Sequence, residues 1–562
     1  MSKKTTLGLA AAIAGAFYIH KKTAATPNRL FINGNVLTMD AVDTVARAVA
    51  VQNGKIIAVG DNNHAISRAA KNSRITDLKG KTLIPGFIDA HSHFPGSGLE
   101  AVGVDLNSPP IGKIKNISQA LDALKEKTRR NRKDKWIIGY GYDDTMIEEM
   151  RHPTRHDLDR VSTEHPIAIS HVSWHMAVLN TRALQVMGIN KSTPNPQGGV
   201  IRREPGTGEP NGVLEETAMH ALRDEAMNFT ALEQLAIIRK AVEQYAAAGV
   251  TTAQNGVIEQ KHIAPLSWAC RLGLVPLRVM AWPDAAAGDA IIRGDIQPKH
   301  SRSPRFELGA IKLFADGSIQ AYTGYLSKPY HMPFQGDDTY RGYPIHKRED
   351  LTKLVTKYHS TGFQIAIHGN GDAAIDDIIF AVRAAQEKHP RKDPRHIVIH
   401  SQMVRDDQLD AFEELGLTPS FHAVHPYYWG DRHMDIFMGP ERAARISPMR
   451  TAMNKGIRFT THLDTPVVPM NPLFLVWCAV NRMSSGGRTI GPDEHIPALQ
   501  ALRSVTIDAA WQIFQEKNRG SIETGKYADL AVLSHNPLLD PQGIKDIKVL
   551  ETIVNGKTIF KR

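Results

Sequence analysis

Leu83-Ile84-Pro85-Gly86-Phe87-Ile88-Asp89-Ala90-His91-Ser92-His93 is an apolar run that ends in two histidines one residue apart. Side chains alternate between faces along a strand, so His91 and His93 point the same way. Two imidazoles on one face at a strand end can grip a single divalent metal. In a chain with 25 histidines one His-x-His pair carries little weight by itself. It gains weight because four more ligand-type residues lie in other short runs rich in Ile, Val, Phe or Thr. These are Lys312 in Gly309-Ala310-Ile311-Lys312-Leu313-Phe314, His368 in Phe363-Gln364-Ile365-Ala366-Ile367-His368, His400 in His396-Ile397-Val398-Ile399-His400, and Asp464 in Ile457-Arg458-Phe459-Thr460-Thr461-His462-Leu463-Asp464.

Each run reads as a buried strand. Helical patterns separate them, at Leu232 to Ala248, Asp350 to Ser360, Ala373 to Lys388 and Asp406 to Leu415. Further strands are expected at Gly249 to Thr252, Leu277 to Met280 and Leu417 to His422. Strand then helix, repeated, argues for an α/β fold with a parallel sheet. Eight such units close into a (β/α)8 TIM barrel, whose chemistry sits at the carboxyl ends of its strands. His91 and His93 then fall at the first strand, Lys312 at the fourth, His368 at the fifth, His400 at the sixth and Asp464 at the eighth.

The motifs Pro85 to His93, Ile311-Lys312-Leu313-Phe314-Ala315-Asp316-Gly317-Ser318, His368-Gly369-Asn370-Gly371-Asp372-Ala373, His400-Ser401-Gln402 and Asp464-Thr465-Pro466-Val467 resemble those of the amidohydrolase superfamily. Within it the chain is similar to family 3, the group resembling N-substituted formamide deformylase, from about Arg29 to the C-terminus. The resemblance implies metal ligands at His91, His93, Lys312, His368, His400 and Asp464. It also implies one or two divalent ions, zinc first, with Mn, Fe and Co as alternatives. A CO2-derived carbamate on Lys312 would turn a cation into an anion able to bridge two metals. The alternative is an ordinary lysine paired to Asp316 or to a substrate carboxylate, beside one metal. Leu463, before the aspartate, departs from the serine common in relatives.

Two or more structural units are expected of 562 residues. Residues 1–26 hold Lys3 and Lys4 before an apolar stretch from Leu7 to Ile19, the outline of a signal peptide or membrane tether. Residues 27–84 carry Asn33-Gly34 and Asn53-Gly54 between apolar runs, a hairpin signal. Residues 515–562 repeat that style, and pairing the two ends makes one composite β-sandwich domain. Residues 85–514 form the metal-binding barrel. The first strand is followed by far more chain than one crossover needs, so an inserted subdomain is expected at about 96–228.

The net charge of +10 is thinly spread, with no basic stripe carrying aromatic platforms, which argues against nucleic acid. Cys270 and Cys478 read as packed thiols. Export, periplasmic or tethered, is favoured over the cytoplasm. The partners expected are a small-molecule amide and, among proteins, at most a second copy of the chain as a homodimer.

The chemistry implied is hydrolysis of a C–N bond other than a peptide bond. Asp464 would move a proton from water to the leaving nitrogen, and His175 and His422 would hydrogen-bond the substrate carbonyl. His425 is a weaker candidate for the same task. Two other readings keep the scaffold. One is a heterocycle deaminase or cyclic amidase, although deaminases of this superfamily place a glutamate where Gly371 stands. The other is a catalytically inactive binding or regulatory relative.

Overall fold

The computed structural model describes residues 27–219, 222, 225–296 and 305–562. The expected signal or tether, at 1–26, lies outside the described residues. Among these residues no helix is long and apolar enough to cross a membrane.

The fold is mixed α/β. Two parallel sheets form its centre. In one, Phe87–Ile88, Val250–Ile258, Arg278–Pro283 and Phe306–Leu308 lie side by side in chain order. In the other, Ile311–Phe314, Ile365–Gly369, Ile397–His400, Thr418–Phe421 and Thr460–Thr461 do the same. Both faces of these strands are covered, which is why their sequences run apolar instead of alternating. The helices between them start and stop on local chemistry. Ala231–Ala247 opens on a capping box made by Thr230 and Glu233, and Asp406–Leu415 closes on Gly416 in the left-handed region. Only Gly309 and Ala310 separate the last strand of the first sheet from the first strand of the second.

The opening stretch of sequence reads as one strand but is two. Thr82–Pro85 joins a sheet built from both chain ends, between Asn35–Leu37 and Leu530–Leu533, and Phe87–Ile88 enters the parallel sheet. The handover occurs at Gly86, where a Cβ would lie 2.1 Å from the Thr251 side chain. A second sheet, Lys55–Gly60, Ala48–Gln52, Arg29–Ile32 and Arg74–Asp77, packs on the first through Phe31, Val49, Ile56, Leu83, Val532 and Ile553. Asn53-Gly54 makes the expected hairpin, with Gln52 opposite Lys55. Asn33-Gly34 does not, because the strands on either side of it belong to different sheets. Its glycine answers a packing need, since a Cβ there would sit 2.4 Å from Leu78 Cδ1.

The long segment after His93 carries its own mixed sheet, ordered Gly199–Arg203, Pro210–Glu216, Met176–Leu179, Ile167–His171, Ile137–Tyr142 and Val104–Asp105. Both cysteines are free and buried.

A buried ion pair ties the chain-end sheets to the parallel sheet. Arg278 Nε donates to Asp529 Oδ2 at 2.6 Å and its Nη2 to Oδ1 at 3.2 Å. Removing one partner strands a desolvated charge, so Asp529→Ala is expected to cost about 3–5 kcal/mol in denaturant unfolding. A loss under about 1 kcal/mol, the range of an exposed pair, would show that this contact does not hold the units together.

Candidate metal centre

The ends of the parallel strands bring the expected ligands to one place. His91 Nε2 lies 3.5 Å and His93 Nε2 3.1 Å from Asp464 Oδ1, and His400 Nε2 is 3.9 Å from Asp464 Oδ2. The His368 and His400 ring centroids are 4.6 Å apart, and those of His91 and His400 5.7 Å. Lys312 is buried beside them, and its charge acts on both His91 and His368. Asp316, the alternative partner for Lys312, accepts from Asn370, Gly371 and Tyr325 N–H and lies 3.2 Å from His368 Nδ1. His91 and His93 lie just beyond the strand, yet both turn their Nε2 atoms toward Asp464.

The residues suit a divalent ion. His91, His93 and Asp464 each offer a ligand atom within 4.8 Å of the others. Asp464 Oδ1 is buried without an aligned hydrogen bond despite two imidazole nitrogens nearby, as expected of atoms that converge on a third body. Burial works to raise the Asp464 pKa, but His93, His91 and His400 together hold it well below the usual carboxylate range. Burial also keeps His91, His368 and His400 neutral, the ligating form. The same desolvation lowers the Lys312 ammonium to about 7. His93 is one-third exposed, so approach is from its side.

A further layer fixes the ligands. Trp282 stacks on His91 at 5.4 Å, and Gly256 lies so close that a Cβ there would meet His91 Cε1 at 2.3 Å. Ser92 Oγ donates to Asp89 at 2.9 Å and accepts the Thr465 N–H at 3.1 Å. Asp316 lies 3.2 Å from His368 Nδ1 and accepts N–H bonds from Asn370, Gly371 and Tyr325. His462 bridges Ser420 Oγ and His400 Nδ1. Such partners set the tautomer and orientation of metal-binding imidazoles. His400 and Asp464 both hold left-handed backbone, φ 70° and 57°. For non-glycine residues this costs of order 1–3 kcal/mol each and recurs at functional sites.

The sequence singled out neither His462, Glu216 nor Trp282, and offered Asp316 only as a partner for Lys312, not for His368. His462 carried a usable signal, since it precedes Asp464 by two residues, as His91 precedes His93. The others meet their partners across strands and leave no local spacing.

His175 and His422 reach this region in different states. His175 Nδ1 lies 2.8 Å from Glu216 Oε2, and its ring is 5.0 Å from His368. Burial works against its charge, but Glu216 outweighs it and the His175 pKa rises. Both nitrogens of His422 are engaged, by Leu463 O at 2.9 Å and by His425 Nε2 at 3.0 Å. His400, His422 and His462 also cluster, but His400 and His462 hydrogen-bond each other while both His422 nitrogens face other partners. A cleft of about 450 Å³ opens along Thr465, Pro466, Met470, Tyr140 and Lys545. It runs beside Asp464 without containing any of the expected ligands.

The profile of the amidohydrolase family matches residues 74–560. N-substituted formamide deformylase from Arthrobacter pascens is 28% identical over 548 residues, covering 95% of this chain and 98% of its own. Protein LONG AFTER FAR-RED 3 from Arabidopsis thaliana is 26% identical over 553 residues, with 94% and 91% covered. The crystal structure of an uncharacterized metal-dependent hydrolase from Pyrococcus horikoshii superposes with a TM-score of 0.73 at 25% identity, covering 92% of this chain and 99% of that one.

The Lys312 shift fixes a sign. A base whose folded pKa is depressed takes up fewer protons folded than unfolded, so between about 7 and the ordinary 10.5 its contribution to stability rises with pH. In metal-stripped protein, raising the pH from about 7.5 to 9.5 should stabilise the wild type relative to Lys312→Met by about 2 kcal/mol in denaturant unfolding. Parallel pH curves would contradict the shift.

Proposed function

The chain belongs to the amidohydrolase family, and on that premise we propose that it is a metal-dependent hydrolase cleaving the non-peptide C–N bond of a small N-substituted amide. The observation that carries this reading is the approach of His91, His93 and His400 to the two oxygens of one buried carboxylate, Asp464. We read the two parallel sheets as one closed (β/α)8 barrel. This is supported by the two-residue junction at Gly309-Ala310 and by the backbone bond from Asp464 N to His91 O at 3.1 Å. We assign the two chain ends to one β-sandwich and residues 96–228 to a subdomain over the site.

His91, His93, Lys312, His368, His400 and Asp464 would hold the ion or ions. A divalent metal bound there supplies Lewis acidity, lowering the pKa of a bound water toward about 7 and polarising the carbonyl. The chain's own groups do the rest. Asp464 is ionised, so a carboxylate oxygen can take a proton at the start of attack and pass it to the leaving nitrogen. His175, whose charged form Glu216 favours, would present an N–H donor to the carbonyl oxygen. His422, with both nitrogens committed, acts as a positioning residue. The free-amine form of Lys312, which the lowered pKa favours, is the one that adds CO2 to give a carbamate and a released proton. A relative 28% identical over 548 residues is named for deformylating N-substituted formamides, which supports an N-formyl or N-acyl substrate. The deaminase alternative needs a glutamate at position 371, where a Cβ would lie 1.8 Å from Tyr325 O. We further read 1–26 as an export segment, to be tested by fractionation and N-terminal sequencing.

Screened against N-formyl, N-acyl and cyclic amides and against heterocyclic amines, the metal-loaded protein should turn over an N-formyl or N-acyl amide best. Ammonia release from heterocycles without amide cleavage would overturn the assignment. Asp464→Asn should keep the far-UV spectrum and lose at least about 10²–10⁴-fold in kcat, and unchanged kcat would remove its proton-transfer role. Native mass spectrometry should find one CO2 on the wild type and none on Lys312→Met. An unmodified wild type with one metal would leave Lys312 an ordinary lysine.

A further inference from the structure

A line of hydrogen bonds leads away from His400 into the protein interior. His400 Nδ1 lies 3.0 Å from His462 Nε2, and His462 Nδ1 lies 2.9 Å from Ser420 Oγ. Ser420 Oγ is 2.8 Å from Thr460 Oγ1, which is 2.6 Å from Gln512 Oε1. Gln512 Nε2 donates to Ala90 O at 2.9 Å. Ser420 and Thr460 face each other in register on adjacent strands. Gln512 ends the helix Ile507–Gln512, where its own carbonyl accepts from Gln364 Nε2. All five side chains are buried, those of Ser420, Thr460 and Gln512 completely.

The far end of this line fixes its direction. The Ala90 carbonyl can only accept, so the Gln512 amide turns its nitrogen there and its oxygen to Thr460. An amide oxygen cannot donate, so the single Thr460 hydroxyl hydrogen goes to Gln512. Ser420 must then donate to Thr460 and accept from His462 Nδ1. His462 and His400 are neutral, because burial holds both well below the ordinary imidazole pKa. A neutral imidazole carries one hydrogen, so His462 Nε2 is a bare lone pair that accepts from His400 Nδ1. His400 is left with its own lone pair on Nε2, the atom 3.9 Å from Asp464 Oδ2.

We propose that Gln512, Thr460 and Ser420 are positioning residues that hold His400, through His462, in the tautomer whose Nε2 can ligate a metal. This rests on the metal-binding reading of His400 and extends it to side chains that meet no ligand themselves. Without Gln512 or the Thr460 hydroxyl, the present direction leaves a buried hydroxyl hydrogen with no acceptor. The reverse direction satisfies every remaining hydroxyl but puts the His400 hydrogen on Nε2, where it blocks a metal. Ala90 directly precedes His91, so the line also ties the His400 tautomer to the stretch that carries the first ligand pair.

The test is zinc affinity, measured against a competing chelator on stripped full-length protein, together with neutron diffraction from its fully deuterated crystals. Gln512→Met should bind zinc about 10–100-fold more weakly than wild type. Thr460→Val, close to threonine in shape, should show the same loss and takes its place should Gln512→Met fail to fold. Thr460→Ser keeps the hydroxyl and should bind as wild type does. The neutron map of the stripped wild type should place deuterium on Nδ1 of both His400 and His462. Folded Gln512→Met and Thr460→Val proteins with wild-type affinity, an equal loss in Thr460→Ser, or deuterium on His400 Nε2 would each overturn the proposal. A wild type that binds no zinc counts against the metal reading instead, and the deuterium positions still decide the direction of the line.

Discussion

Asp464 donates its backbone N–H to the carbonyl of His91, His93 donates to the carbonyl of Thr465, and Thr465 donates to Ser92 Oγ. This short seam joins stretches 373 residues apart in sequence. It places two imidazoles and a carboxylate within ligand reach before any side-chain preference acts. Everything else at the site depends on it. Trp282 and Gly256 shape the slot for His91, and the left-handed backbone at Asp464 turns its carboxylate back across the seam. The strain at such residues persists only because neighbouring structure over-determines it, and the seam is that structure.

Burial gives the cluster its electrostatic character. The imidazoles are driven neutral, the lysine is driven toward the free amine, and Asp464 alone stays firmly anionic because nitrogen donors surround it. A polar set of this kind, with an orphaned oxygen at its middle, is costly to fold and is stabilised by whatever cation it takes up. Outside that inner set, Asp316, Glu216 and His462 each hold one imidazole in a defined orientation. The inner groups supply donors, and the outer ones decide where those donors point.

Much of this was legible in the chain. Isolated ligand-type residues in apolar runs, spaced by helical patterns, mark parallel strands and what lies at their ends, because strand burial and strand-end chemistry both leave local signatures. Asn53-Gly54 was equally plain, since a two-residue turn is a local event. Gly86 was not, because its role is set by Thr251 in a strand far along the chain. Asn33-Gly34 misled for the same reason, as its glycine is required by Leu78 and not by a turn. The outer partners of the histidines stayed hidden because they act across strands. The state of His422 depends on Leu463 O and His425, contacts that no spacing reports.

Anomalous diffraction at the metal edge, from crystals of the protein as purified, tests the central claim most directly. The account expects a peak bonded at about 2.0–2.2 Å by His91, His93 and Asp464, with His368, His400 and Lys312 around the same centre. A map with no peak there after metal loading, or with the ion held by none of these six residues, would contradict it.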